Sequence, residues 1–131
     1  MVSRSGANPF GGWHLLDIYQ KLTYRDGVTR WKESAYLLLT ALAQRENHGY
    51  ALAQRVHELS DGDLKLGPGT LYGTLDRLQG AELIELTREE VVDGRNRRIY
   101  AITGAGTELL ADRAAVLAQQ LVIMNQALGF T

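Results

Sequence analysis

Two punctuated segments in a fixed order constrain this chain more than anything else in it. The first, Gly67-Pro68-Gly69-Thr70-Leu71-Tyr72, opens a helix, because proline is tolerated in the first turn where its missing N–H has no partner anyway. Leu71, Leu75 and Leu78 then share one face, and Gly80 is placed to end the helix as a C-terminal glycine. The second segment follows at once. Ile84-Glu85-Leu86-Thr87-Arg88 alternates apolar and polar residues as a half-exposed strand does. Asp93-Gly94 supplies a tight turn, and Arg98, Tyr100 and Ile102 alternate on the way back. Arg95, Arg97 and Arg98 crowd into that returning strand.

A short helix followed directly by a basic hairpin predicts a winged helix-turn-helix. In that arrangement the helix enters a groove of duplex DNA and the hairpin grips a neighbouring phosphate strand. With the leucines facing inward at about 100° per residue, the opposite face holds Thr70, Gly73, Asp76 and Arg77, flanked by Tyr72 and Thr74. Hydroxyls bond phosphates or bases, Arg77 reaches guanine or a phosphate, and Gly73 removes bulk where the backbone would come nearest. Asp76 orients Arg77 or accepts from a cytosine amino group. Tyr50 and Lys65 are weaker backbone candidates. The wing arginines have a competing use, because Glu89 and Glu90 would lie roughly across the hairpin from Arg98 and Arg97 and could pair with them.

The flanks complete an α+β, mostly helical chain in three parts. Residues 1–30 form an N-terminal extension: a loose polar tail, then a short helix marked by Leu15, Ile18, Tyr19 and Leu22. Residues 31–103 hold the winged unit. Ala35, Leu38, Leu39 and Leu42 mark a helix from about Trp31 to Gln44; Asn47-His48-Gly49 breaks it; Leu52, Val56 and Leu59 mark the next. Residues 104–131 form a last helix, with Thr103 as its N-cap. There Leu110, Ala114, Leu117, Leu121, Met124 and Leu128 step by 4, 3, 4, 3 and 4, the spacing of a coiled-coil seam, while Leu109, Val116 and Ile123 widen the apolar surface. The same stripe could pack back on its own core, but a small three-helix core has little room to cover so much of one long helix, so a homodimer is expected.

Composition narrows the function. The absence of cysteine excludes a disulfide framework, a thiolate metal site and a cysteine nucleophile. His14, His48 and His57 lack metal-ligand spacing, and no phosphate-binding loop is present, so no catalytic residue, metal or cofactor is expected. His48, beside Gly49, reads as a turn or capping residue. No apolar run would span a bilayer and the start lacks a signal peptide's apolar stretch, which points to the cytoplasm. The formal net charge of −1 favours a rival reading, a winged-helix protein that dimerises or binds partner proteins instead of DNA.

Residues from about Glu33 to Arg113 resemble a PadR-family transcriptional regulator. The resemblance is carried by His48-Gly49-Tyr50-Ala51-Leu52, Gly67-Pro68-Gly69-Thr70-Leu71-Tyr72 and Leu75-Asp76-Arg77-Leu78. It continues in Gly94-Arg95-Asn96-Arg97-Arg98-Ile99-Tyr100 and Ile102-Thr103-Gly104-Ala105-Gly106. It implies a dimeric winged-helix repressor on a palindromic operator, often released by a small-molecule effector, and of the shorter branch with a single C-terminal dimerisation helix. The chain departs from the family at Gly73 and Asn96, where proline is common, and its final helix has no tryptophan of the kind known members stack ligands on. Trp13, Tyr19 and Trp31 are the alternative aromatic set: they line an apolar cavity for a flat ligand, or they staple the extra helix to the core or extend the dimer contact.

Overall fold

The structure is a computed structural model that describes residues 31–130, so the expected N-terminal helix, with Trp13 and Tyr19, lies outside the described residues. The chain divides into two compact units, one of which is Trp31–Leu110. Within it run α1 (Glu33–Gln44), β1 (Asn47–His48), α2 (Gly49–Leu59), α3 (Pro68–Gly80), β2 (Ile84–Val92), β3 (Arg95–Ile102) and the start of α4 (Gly104–Ala127). The strands form one antiparallel sheet in the order β1-β3-β2.

The leucine spacing does what it predicts. Leu38, Leu39 and Leu42 of α1, Leu52 and Val56 of α2, and Leu71, Leu75 and Leu78 of α3 are buried together with Ile84 and Tyr100. Asp93 and Gly94 form the two-residue turn of the hairpin, both at positive φ (51° and 76°), the type I′ geometry that matches the right-handed twist of the strands. The pairing slips at Thr87, where a bulge lets the hydroxyl donate to the Ile99 carbonyl at 3.0 Å.

Asn47-His48 is not merely a break between helices. It is a third strand, with Asn47 opposite Tyr100 and His48 opposite Ile99, and it ties the start of α2 to the wing. Gly80 also differs from expectation, since it is still helical. The left-handed residue is Glu82 (φ 62°), with Leu83 N–H bonding Leu78 O at 3.0 Å and Glu82 N–H bonding Gln79 O at 2.9 Å. That is a Schellman motif with glutamate at the usual glycine site.

Thr103 caps α4 as expected: its hydroxyl accepts from Gly106 N–H at 3.0 Å and donates to Glu82 O at 2.7 Å. At Gly106 a Cβ would lie 2.1 Å from the Leu83 carbonyl oxygen, so only glycine allows that approach. Farther along α4, Val116 is buried while Leu117, Leu121, Met124 and Leu128 are exposed. Among the described residues no helix is long and apolar enough to cross a membrane.

Candidate nucleic-acid interface

One open cleft of about 780 Å³ gathers the start of α2, Tyr72 of α3 and the wing. His48, Gly49 and Tyr50 line one side, and Glu89, Arg95, Asn96, Arg97 and Arg98 the other. Tyr72 reaches this cleft because residue 49 has no side chain: a Cβ there would sit 2.8 Å from Tyr72 Cε1 and 2.9 Å from its Oη.

The wing charges settle into a particular pairing. The register puts Glu89 opposite Arg98 and Glu90 opposite Arg97, as expected. Glu90, however, bonds Arg88 at 3.2 Å, and Arg88 also pairs with Glu46 beyond the end of α1. Arg95, Arg97 and Arg98 make no ion pair with any described residue. Their charge is therefore available to a polyanion, and a net charge of −1 averages over this local concentration.

On α3, Thr70, Gly73, Asp76 and Arg77 are all exposed, and nothing lies within 4 Å of a Cβ built at Gly73. Tyr50 and Tyr72 are exposed as well. Lys65 lies outside the cleft, in a separate groove that Tyr50 also borders. Thr74 must be corrected. It is 2% exposed, and its hydroxyl donates to Thr70 O at 2.7 Å and receives Arg77 Nη2 at 3.4 Å. The side chain belongs to the core and steadies Arg77, a role the sequence reading assigned to Asp76.

His48 is the cleft residue that the sequence reading left as a turn or cap. It occupies the N-cap position of α2 without a side-chain capping bond. Burial first, then the Arg97 charge, holds its imidazolium below the ordinary histidine range, and Glu90 opposes them. Its place two residues before Tyr50 was the available signal.

Two residues with other candidate uses pack on the core. Leu110 is partly buried against it, contrary to its place at the start of the proposed seam, and so is Trp31, in keeping with the stapling alternative. Trp31 Nε1 is buried and finds no hydrogen-bond acceptor among the described residues.

Comparison with known proteins gives this geometry its family. Residues 38–112, more than half of the chain, match the model of the transcriptional regulator PadR-like family. The chain is 44% identical over 80 residues to Transcriptional regulator Rv3488 of Mycobacterium tuberculosis, a match spanning 60% of this chain and 71% of that one. It is 38% identical over 90 residues to an uncharacterized 37.1 kDa protein in transposon TN4556 of Streptomyces fradiae, covering 69% of this chain but only 24% of that protein. A PadR family transcription regulator from Clostridium difficile superposes with a TM-score of 0.64 at 25% identity, over 74% of this chain and 99% of that one. Bacillus subtilis PadR, solved in complex with operator DNA, shares the fold at a TM-score of 0.57 and 20% identity, over 63% of this chain and 47% of that one. With its winged helix, basic wing and ordered motifs, the chain belongs to the PadR-like family of transcriptional regulators.

Proposed function

We propose that this chain is a homodimeric repressor that binds a pseudo-palindromic DNA operator and is released by a small planar aromatic effector. The observation that carries the DNA reading is that Arg95, Arg97 and Arg98 line one cleft with Tyr50 and Tyr72 while making no ion pair with any described residue. Thr70, Gly73 and Arg77 present the base-reading face, and the arginines bind phosphate. Lys65 adds a backbone contact from the neighbouring groove. Dimerisation through α4 pairs two such heads, supported by the exposed stripe Leu117, Leu121, Met124 and Leu128, with exposed Ala114 on the same spacing. The effector reading draws on the family and on Trp31, whose buried indole N–H has no acceptor among the described residues.

The test is capture of bound genomic fragments followed by affinity on the recovered site at two salt concentrations. A reader that neutralises about 6–10 phosphates loses about a thousandfold or more between about 50 and 200 mM salt. The net charge of −1 favours the rival, a winged-helix protein that docks on other proteins, and that protein would recover no common sequence. The effector arm is read by tryptophan quenching. A planar aromatic compound must quench saturably and weaken DNA in the same range, and DNA must weaken the compound by the same factor.

A further inference from the structure

We propose that His48 is a phosphate ligand of this interface, and that it becomes one by taking up a proton as the duplex enters the cleft. The inference rests on the DNA-binding reading above. His48 shares its cleft with Tyr72 and the wing arginines, and its backbone is pinned opposite Ile99 by the β1–β3 pairing. Its tautomer is fixed by one atom. Asn47 Oδ1 accepts the His48 backbone N–H at 2.9 Å, which identifies it as the amide oxygen, and it lies 3.1 Å from His48 Nδ1. An amide oxygen only accepts, so Nδ1 carries the hydrogen and the neutral ring keeps a lone pair on Nε2. That lone pair repels a phosphate oxygen. A protonated ring instead offers Nε2–H as a charge-assisted donor.

The surroundings make this a coupled event. From β3, Arg97 disfavours the charged ring, and Arg95 and Arg98 line the same cleft. From β2, Glu90 favours it and Glu89 faces the cleft; α3 contributes the Tyr72 phenol and α2 the Tyr50 phenol. In the free protein burial and Arg97 prevail over Glu90, so the neutral ring is favoured more than in an ordinary histidine. A phosphate among the arginines offsets Arg97 and adds negative charge beside the ring. The bound state then holds more protons than the free state, and affinity rises as pH falls through the interval between the two histidine values.

The experiment measures affinity of the full chain for a generic duplex of about three helical turns, at constant salt, from about pH 8.5 to about 5.5. The wild type should gain about tenfold or more across that range, one pKa unit being worth tenfold. His48→Gln should flatten the profile, and His57→Gln should leave it intact. Asn47→Ala, by releasing the tautomer, should flatten it by keeping affinity at high pH. NMR of the wild-type imidazoles, free and duplex-bound, reads the same event without a variant: the His48 midpoint should move up on binding. A pH slope that survives His48→Gln, a flat wild-type profile with intact binding, or an unmoved His48 midpoint overturns the proposal. Absence of duplex binding at every pH and at low salt instead overturns the DNA reading on which it stands.

Discussion

Two glycines show how the same added methyl group can test different things. A Cβ at Gly106 meets the Leu83 carbonyl, which is backbone and cannot step aside. Gly106→Ala should therefore cost about 1–3 kcal/mol or more, visible as a lower melting temperature. A Cβ at Gly49 meets the far end of Tyr72, a side chain that is 46% exposed and free to swing. Gly49→Ala should leave the melting temperature nearly unchanged and weaken DNA binding several-fold. At Glu82 the sign reverses. An L-residue in the left-handed region costs about 1–2 kcal/mol, partly offset by the extra unfolded-state freedom of glycine, so Glu82→Gly should stabilise by about 0.5–1 kcal/mol in thermal melts. The inward leucines were legible because a 3.6-residue period leaves little choice. Thr74 was misplaced because its hydroxyl was read as polar surface, although it stands three residues after Leu71 and four before Leu78. A threonine bonded to the carbonyl four residues back can be buried, and that bond is invisible in a hydropathy pattern. Arg77, held by that same threonine, remains on the exposed face. Arg77→Ala should cost about 1–3 kcal/mol of operator affinity if it makes a bidentate base contact, and relax preference at one symmetric position. Uniform weakening on all sequences would make it a phosphate clamp.

Among the elements, the hairpin was the easiest to read and β1 the hardest. Asp93-Gly94 encodes its turn locally, whereas Asn47-His48 is a two-residue strand with no period of its own, created by β3 some fifty residues later. The wing's charge pairing was hidden in the same way, because it too depends on a residue distant in sequence. Alternation alone could place Glu90 opposite Arg97, but it could not show that Arg88 would take Glu90 and tie it toward Glu46. The consequence can be measured. Replacing Arg95, Arg97 and Arg98 with glutamine should reduce the salt slope of DNA binding by about one unit per lost phosphate contact, with little change in sequence preference. Thermal stability should hold, because these arginines make no ion pair with any described residue. Variants that melt early yet keep their DNA affinity would return the arginines to a cross-strand structural role.

For the whole molecule, the question is what covers α4. Leu117, Leu121, Met124 and Leu128 are 45%, 56%, 54% and 67% exposed, and they sit at the steps of 4, 3 and 4 residues that make a seam between helices. The seam was legible as a pattern, but its start was not. Leu110 obeys the spacing and still packs on its own core, because spacing alone cannot say where a helix leaves the body that begins it. A two-fold pairing of α4 would give two reading heads that must match half-sites about 34–36 Å apart. Each head alone would bind weakly, and joining them would make the second contact intramolecular, worth about 10²–10⁴ in affinity. Leu121→Asp removes that gain selectively. The residue is exposed and lies outside the Trp31–Leu110 unit, so the winged fold should keep its circular dichroism and melting temperature. The chain should sediment as a monomer, because two aspartates facing across an apolar seam repel and lose water together. Operator affinity should fall by about the same 10²–10⁴, toward that of a single half-site. A Leu121→Asp chain that is folded, monomeric and still tight on the full operator would mean that one head suffices, and the α4 stripe would need another partner.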